Sequence, residues 1–327
     1  AIEVRLYAED PSAGFLPSTG DITLFSMPEG AGIRVDSGVE TDDEVTPFYD
    51  AMIAKVITYG ETREDARLKM VSALREMALF GPENNRDFLI DVLGQDQFIA
   101  GEATTAFIGD NDGDAYSPRP VSTSDLAVAA ATQHILAMEN HQSQSASVNE
   151  ELLDWTSMGR VTDTRRYQVS EESIDVSLVP LDVGDYEVAV GHETHQVVIV
   201  DINECDLTVE IDGLAEHYHY CAESPATIYL ASRDRSFALA DSTRIPPEAE
   251  DATGGGAISA PMHGQLLSID VSAGAAVVKG QRIAVLEAMK MQHEITAPGD
   301  GTVVEVSAGA GKQIGAGDLI MLIELDE

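Results

Sequence analysis

The chain has 327 residues, of which 57 are aspartate or glutamate and 19 are lysine or arginine, so its formal net charge is −38. The electrostatic field of so large a negative charge repels polyanions, and the composition therefore argues against nucleic-acid binding. No apolar run approaches the length of a membrane span and the N-terminus shows no signal-peptide pattern, so we expect no membrane association. The length favours two or three domains, and the acidity suits either ordinary surface solvation or adaptation to high salt.

Residues 1–110 are predicted to form an α+β unit. Alternating segments such as Ile33–Val35 and Ala54–Thr58 predict short strands between turns. Thr62 and Asp65 then have the spacing of a capping box at the start of a helix. The predicted apolar face of this helix comprises Ala66, Met70, Leu74, Met77 and Ala78. A second, shorter helix is predicted over Asn85–Leu93.

Four segments of this unit closely resemble the C-terminal part of biotin carboxylase: Arg5–Pro11, Leu16–Gly20, Gly32–Gly38 and Tyr49–Lys55. The resemblance implies that Arg34 holds the ureido group of biotin in the carboxylase site. A guanidinium suits that role because negative charge develops on the ureido oxygen when N1′ of biotin loses its proton. The ATP-grasp region of the family, which binds ATP and Mg²⁺ or Mn²⁺, is expected upstream of Ala1.

Residues 121–245 are predicted to form a helix followed by a β-barrel. The segment Ser124–Glu139 has a helical pattern and is apolar on more than one face, so it should be enclosed by other structure. Eight strand-like segments follow it: Tyr167–Val169, Ile174–Val179, Tyr186–Val190, Val197–Ile202, Leu207–Ile211, Leu214–Tyr220, Ile228–Leu230 and Phe237–Leu239. Their spacing fits an antiparallel barrel, and the helix is the candidate for its filling.

In order and architecture this region is similar to the domain that joins biotin carboxylase to its carrier in acyl-CoA carboxylase alpha subunits. The resemblance implies that the barrel docks a carboxyltransferase beta subunit. The alternative is a spacer barrel without a partner.

Two cysteines and a histidine pair lie in the predicted barrel strands. Cys205 and Cys221 show neither metal-ligand spacing nor a disulfide framework, so we expect buried thiols in a reducing compartment. His217 and His219 alternate with tyrosines and should share one face of a strand. A zinc pair is conceivable there, but no third ligand is evident from the sequence.

Residues 246–256 are rich in proline, glycine and acidic residues and are predicted to form a flexible tether to a carrier domain over residues 257–327. In that domain Ile258–Glu287 recurs as Ile295–Glu324, with Gly264 and Gly301 at equivalent positions. Each half reads as short strands between glycine turns. Two such halves predict a small β-sandwich with a connecting hairpin at their junction.

The tetrapeptide Ala288-Met289-Lys290-Met291 lies at this junction, where a hairpin tip would expose the lysine. It resembles the signature of the biotin carboxyl carrier domain. The resemblance implies covalent biotin on Lys290, attached by a biotin protein ligase, with Ala288, Met289 and Met291 completing the biotinylation motif. A lipoyl domain shares the two-fold architecture and is the rival, but the two methionines favour biotin. The tether implies that the whole carrier domain moves between sites.

The predicted fold class is multidomain, α+β and β: the C-terminal part of an ATP-grasp biotin carboxylase, an antiparallel β-barrel around a helix, and a biotinyl/lipoyl-type β-sandwich. The resemblance implies the biotin-bearing alpha subunit of an acyl-CoA carboxylase, a ligase that carboxylates biotin with ATP and bicarbonate and delivers carboxybiotin to a beta subunit. The best-fitting acceptor is 3-methylcrotonyl-CoA, and propionyl-CoA and geranyl-CoA stay open. A non-enzymatic carrier and docking protein is the alternative from another class. The expected location is the cytoplasm, or the mitochondrial matrix in a eukaryote.

Overall fold

The computed structural model describes residues 1–111, 116–144, 161–169, 172–244, 256–289 and 291–325. The predicted tether lies outside these ranges except for Gly256. The described ranges form three units in chain order, which we call the first unit, the barrel and the carrier domain.

The first unit, residues 1–111, is built on an antiparallel sheet. Its elements are β1 (Ile2–Tyr7), β2 (Glu9–Asp10), a 3-10 turn (Pro11–Ala13), β3 (Leu16–Pro17), β4 (Gly20–Asp21), β5 (Leu24–Ser26), β6 (Ile33–Ser37), β7 (Glu44–Val45), β8 (Met52–Thr58), α1 (Arg63–Glu76), β9 (Ala78–Phe80), α2 (Arg86–Gly94), α3 (Asp96–Ala100) and α4 (Phe107–Asn111). Strand β8 is central, between β1 and β6. Met70 and Leu74 of α1 are fully buried in the core of this unit, together with Val56 of β8. This packing confirms the predicted α+β unit.

Helix α1 begins with the predicted capping box and ends earlier than its apolar pattern suggests. Thr62 Oγ1 accepts a hydrogen bond from the Asp65 amide, and the Asp65 carboxylate accepts one from the Thr62 amide, each at 3.1 Å. The helix ends at Glu76; Met77 is extended (φ −88°, ψ 149°) and Ala78 begins β9. Assigning Met77 and Ala78 to the helical face was therefore wrong. Both are fully buried, because the chain continues into β9, which pairs with β5 inside the core.

The barrel consists of one sheet whose eight strands are neighbours in chain order. They are β10 (Asp163–Val169), β11 (Glu172–Asp182), β12 (Asp185–Val190), β13 (Glu193–Ile202), β14 (Asp206–Ile211), β15 (Leu214–Ala222), β16 (Thr227–Ala231) and β17 (Ser236–Ala240). An isolated bridge between Tyr167 and Asp241 brings the two edges together. The sheet is therefore nearly closed, as the eight alternating segments predicted.

Helix α5 (Thr123–Gln144) fills the barrel and is longer than predicted. Ser122 and Asp125 cap its start reciprocally: the Ser122 amide donates to the Asp125 carboxylate (2.8 Å), and the Asp125 amide donates to Ser122 Oγ (3.2 Å). Ala127 and Ala129–Ala131 are fully buried, and their small side chains let a helix fit within eight strands. Within the described ranges, none of the helices combines the length and hydropathy needed to cross a membrane.

Polar side chains link this helix to the barrel wall. Gln133 Oε1 accepts hydrogen bonds from the Tyr167 hydroxyl (2.6 Å) and from Arg165 Nη1 (3.2 Å). The fully buried carboxylate of Asp125 pairs with Arg235 at 2.5 Å. Buried polar groups must find partners, so these bonds fix one seating of the helix in the barrel.

The carrier domain consists of two four-stranded sheets, in the orders β18-β25-β23-β20 and β22-β21-β19-β24. These strands are β18 (Ala257–Ser259), β19 (Gly264–Ile269), β20 (Ala276–Val277), β21 (Arg282–Ala288), β22 (Met291–Thr296), β23 (Gly301–Val306), β24 (Gln313–Ile314) and β25 (Leu319–Leu325). Three strands of the first half, β19, β20 and β21, recur 37 positions later as β23, β24 and β25. The predicted internal repeat is thus a pair of equivalent sheets facing each other.

Equivalent glycines are required at the same close backbone approach within each half. A Cβ atom on Gly264 would lie 2.6 Å from the carbonyl oxygen of Glu287, and one on Gly301 would lie 2.3 Å from that of Glu324. Real Cβ atoms essentially never approach that closely. The repeated Gly and Glu positions in the sequence therefore mark one close backbone approach that occurs in both halves.

The barrel is joined to the first unit by buried charge. Arg86, 1% exposed, donates through Nη2 to the carbonyl of Ser232 (2.8 Å) and through Nε to that of Leu74 (2.7 Å). The neighbouring Asp87 carboxylate accepts from the Ser236 amide at 2.8 Å. Phe80 and Tyr229 stack beside them with ring centroids 5.5 Å apart. We call this contact the barrel joint.

Candidate functional site

The hairpin between β21 and β22 carries the predicted biotinylation motif. Ala288 pairs with Met291, which leaves two residues between the strands. The first, Met289, has φ +47°, a left-handed value that suits the turn of a two-residue hairpin but is strained for a methionine. The second, Lys290, lies outside the described residues, as does the side chain of Met291. The strand ends thus place the motif at the tip that the repeat predicted.

The Met289 side chain does not face open solvent. It is 6% exposed and belongs to the apolar cluster of the first unit, with Val45, Ala51 and Ile53 among its members. The Met289 amide also donates a hydrogen bond to the carbonyl of Pro47 at 3.1 Å. Leu16 of the first unit packs in return against the carrier core. We call this contact the carrier joint.

The loop that receives the hairpin runs between β7 and β8. Phe48 and Tyr49 expose 69% and 76% of their surface, an unusual degree for aromatic side chains. Asp50 Oδ1 accepts a hydrogen bond from the Met52 amide at 3.0 Å and fixes the turn into β8. A cavity of about 380 Å³ opens here, with Gly38, Tyr49 and Asp50 in its lining. The hairpin tip therefore meets a surface that has room and aromatic side chains for a ligand.

Arg34 lies on β6 of the same first unit. Its Nε and Nη2 donate to the two carboxylate oxygens of Asp36 at 2.8 and 3.0 Å, and the hydrogen bond from Arg34 holds the pKa of Asp36 below its usual value. The Arg34 side chain is 72% exposed, so one edge is fixed while the rest can approach a ligand. The described contacts of Arg34 do not include the carrier hairpin.

The two cysteines and the histidine pair noted in the sequence lie in the barrel. Cys205 and Cys221 are free, and both are half-buried rather than buried. Desolvation raises the pKa of both thiols, which keeps them protonated and unreactive at neutral pH. His217 and His219 share the outer face of β15, as predicted from the alternation with Tyr218 and Tyr220, which are buried inside.

Sequence reasoning missed the residues that receive the hairpin. Pro47 and Leu16 belong to segments that gave no signal of contact with residues more than 200 positions away. The unusual run Pro47-Phe48-Tyr49 was the available hint, because exposed aromatic residues in a loop often mark a binding surface.

Two family models match separate parts of the chain. Residues 3–110 match the Biotin carboxylase C-terminal domain, and residues 256–323 match the model described as Biotin-requiring enzyme. The chain therefore contains a biotin carboxylase C-terminal domain and a biotin-lipoyl domain, with the antiparallel barrel between them. Biotin is the covalent cofactor that the second match indicates.

Similar proteins align along nearly the whole chain. The mitochondrial propionyl-CoA carboxylase alpha chain of Homo sapiens is 29% identical over 336 residues, covering 99% of this chain and 46% of that protein. The mitochondrial methylcrotonoyl-CoA carboxylase subunit alpha of Dictyostelium discoideum is 30% identical over 321 residues, covering 93% and 45%. The chain thus spans a little under half the length of these relatives.

Among solved structures, the biotin carboxylase domain of a thermophilic 2-oxoglutarate carboxylase is 35% identical, with a TM-score of 0.34. The match covers 35% of this chain and 26% of that one.

Proposed function

We propose that this chain is part of the biotin-bearing alpha subunit of an acyl-CoA carboxylase. The observation that carries the proposal is the carrier joint: the tip of a biotin-type hairpin packs on a biotin carboxylase C-terminal domain. A carrier that must reach a carboxylase site needs such a docking surface. The proposed division is residues 1–110 for the carboxylase part, 121–245 for the barrel, 246–256 for the tether and 257–327 for the carrier.

Lys290 is the proposed attachment point for biotin. It follows Met289 in the two-residue loop whose flanking strands are fixed by the Ala288–Met291 pairing. The short loop and the pairing of Ala288 with Met291 hold the backbone on both sides, so one side chain can be presented to a biotin protein ligase. Biotin, when attached, supplies a nitrogen that accepts and releases a carboxyl group.

Arg34 is the proposed residue that binds the ureido oxygen of biotin. Its bidentate bond to Asp36 orients the guanidinium, and its exposed donors fit a planar oxygen acceptor. A fixed cation beside that oxygen stabilises negative charge without reorganising during the reaction. ATP and Mg²⁺ or Mn²⁺ would be bound by an ATP-grasp region of the same subunit.

The barrel is the proposed docking site for a carboxyltransferase beta subunit, in which the acyl-CoA would bind. For the acceptor we propose 3-methylcrotonyl-CoA, with propionyl-CoA as the second candidate because relatives named for both activities match at 29–30% identity. Geranyl-CoA remains a third candidate. We place the protein in the cytoplasm, or in the mitochondrial matrix if its source is eukaryotic.

The proposal is tested by coexpressing the protein with a biotin protein ligase and measuring its intact mass. We expect a gain of one biotin, its complete loss in Lys290→Arg, and full biotinylation in Lys279→Arg, which changes an exposed lysine elsewhere in the carrier domain. Biotin on Lys290→Arg, or a lipoyl adduct on the wild-type protein, would overturn the assignment. Purification with a bound partner and a screen of the three acyl-CoA thioesters then tests the subunit and its substrate.

A further inference from the structure

The outer face of the barrel carries a cluster of ligating side chains that the proposed function does not use. Asp206 begins β14 and pairs directly with His219 on β15, while His217 lies two positions away on the same face. One ligand atom from each residue lies within 4.8 Å of the other two. Asp206 is the third ligand that the spacing of the histidines alone did not reveal, because it comes from the neighbouring strand.

The bonds of His219 define which of its nitrogens can bind a cation. Its Nε2 lies 3.0 Å from the carbonyl oxygen of Glu76, and since a carbonyl only accepts, Nε2 must carry the proton. Its Nδ1 is buried and 2.7 Å from Asp206 Oδ1, yet the angles there do not form a hydrogen bond. With the proton on Nε2, Nδ1 is free to bind a cation, and a cation bound to both Nδ1 and Asp206 Oδ1 would offset the repulsion between these two close atoms.

The same arrangement is common around protein-bound metals. A ligating histidine usually donates its second ring N–H to a carbonyl or carboxylate, which fixes the ring and raises its basicity. Here the Glu76 carbonyl at the end of α1 has that role. His217 Nε2 lies 3.5 Å from the same Asp206 oxygen, and the two imidazole rings are 5.2 Å apart.

We propose that Asp206, His217 and His219 form a Zn²⁺ site, with water as the fourth ligand. Two imidazoles and a carboxylate are a donor set that zinc binds tetrahedrally, whereas Mg²⁺ and Ca²⁺ prefer oxygen ligands. Zinc bonds of about 2.0–2.2 Å place tetrahedral ligand atoms roughly 3.3 Å apart. The 3.5 Å between His217 Nε2 and Asp206 Oδ1 already fits, the 2.7 Å between His219 Nδ1 and the same oxygen must lengthen, and the half-exposed His217 side chain has the space to turn toward His219.

The location of the site gives the metal a structural role. Glu76 belongs to the first unit and the three ligands belong to the barrel, so the bond from His219 to the Glu76 carbonyl joins the two units beside the barrel joint. A metal that fixes the His219 ring would strengthen that bond. Zinc is therefore expected to stabilise the association of the first unit with the barrel.

The test is a titration of the metal-free protein with Zn²⁺ against a competing chromophoric chelator. Excess Mg²⁺ is included, because the many surface carboxylates of this acidic chain bind divalent cations weakly. We expect one tight Zn²⁺ equivalent and a rise in melting temperature on loading. Asp206→Asn, His217→Asn and His219→Gln should each weaken Zn²⁺ affinity at least about tenfold.

The matched control is His195→Gln. His195 also contacts an aspartate, with 2.8 Å between Nδ1 and Asp212 Oδ2, but it belongs to no three-ligand cluster among the described residues. This variant should bind Zn²⁺ like the wild-type protein. The proposal would be overturned if the wild-type protein bound no tight Zn²⁺ equivalent, or if the three ligand variants bound Zn²⁺ as tightly as the wild-type protein. His217→Asn decides the matter if changes at the less exposed His219 disturb folding.

Discussion

The first unit has two joints, and they are built from different interactions. At the barrel joint the buried guanidinium of Arg86 donates to backbone carbonyls of both units, including that of Ser232 at 2.8 Å. At the carrier joint the described contact rests on the apolar side chains of Met289 and Leu16 and on one backbone hydrogen bond of 3.1 Å to Pro47. One joint buries charge, and the described part of the other combines apolar side chains with a single backbone hydrogen bond.

The difference indicates which contact can open. Separating a buried guanidinium from its partners leaves uncompensated charge and unpaired carbonyls, a cost of several kcal/mol. Exposing a methionine and one hydrogen bond costs about 1.5–3 and 0.5–1.5 kcal/mol, respectively. The barrel is therefore fixed to the first unit, whereas the carrier domain can leave it at modest cost. A carrier that serves two sites requires this asymmetry.

Arg86→Ala gives the largest expected effect. The change removes the donor to several carbonyls and the charged partner of Asp87, so we expect a loss of about 3–5 kcal/mol in the free energy of unfolding. Chemical denaturation, monitored by the fluorescence of aromatic side chains in the barrel and by circular dichroism, measures this loss in free energy. Arg166→Ala, which removes an exposed arginine paired with the exposed Asp175, should leave the midpoint almost unchanged. Equal effects of the two variants would contradict the barrel joint.

Gly264→Ala and Gly301→Ala probe the carrier domain alone. Each added Cβ would meet a backbone carbonyl, and we expect each to destabilise the carrier domain by about 1–3 kcal/mol without shifting the barrel transition. Hydrogen exchange resolved by domain measures both. In Gly309→Ala the added Cβ would meet only the Lys312 side chain, at 3.9 Å or more, so this control should be nearly neutral. A large effect in the control, or in only one of the two equivalent glycines, would contradict the repeated close approach.

The sequence predicted the units better than the joints. The 37-residue repeat and the eight alternating segments depend on periodic local patterns, which determine strands and their faces. Arg86 with Ser232, and Pro47 with Met289, are pairs far apart along the chain that carry no local pattern. The assignment of Met77 and Ala78 to the helical face was wrong for a related reason: both residues are buried, but they follow the end of the helix.

Leu16→Ala is expected to loosen the carrier joint while leaving the biotinylation motif intact. Leu16 is half-buried, so its loss should cost about 1 kcal/mol and raise exchange of the Met289 amide roughly fivefold. Hydrogen exchange at Met289 measures this opening. Leu267→Ala, on an exposed position of β19, is the matched control and should leave the exchange rate unchanged. Unchanged exchange in Leu16→Ala would refute the release of the carrier at this contact.

Acid should affect the barrel through Asp163. Burial tends to raise the pKa of this carboxyl, but the hydrogen bond from His134 and the charge of Arg165 lower it to about 2. Because the folded pKa lies below the ordinary 3.8, the stabilisation is present above about pH 4 and is lost as pH falls through 2. The stability difference between wild type and Asp163→Asn should therefore shrink on acidification, as urea unfolding at several pH values would measure.

The control for this prediction is Asp175→Asn on the surface of the same barrel. Asp175 also pairs with an arginine, but both side chains are exposed, so salt should suppress its pH effect. A difference for Asp163→Asn that stays constant from pH 6 to pH 2 would contradict the role given to this carboxylate.

The most direct test of the account is the fixation of labelled bicarbonate on the biotinylated protein, in a subunit that includes the ATP-grasp region. The wild-type protein should acquire an acid-labile label when ATP is present. Arg34→Ala should carry as much biotin on Lys290 but acquire the label at least about a hundredfold more slowly. Arg5→Ala, which changes another exposed arginine of the first unit, should label normally. Labelling of Arg34→Ala at the wild-type rate would contradict the account.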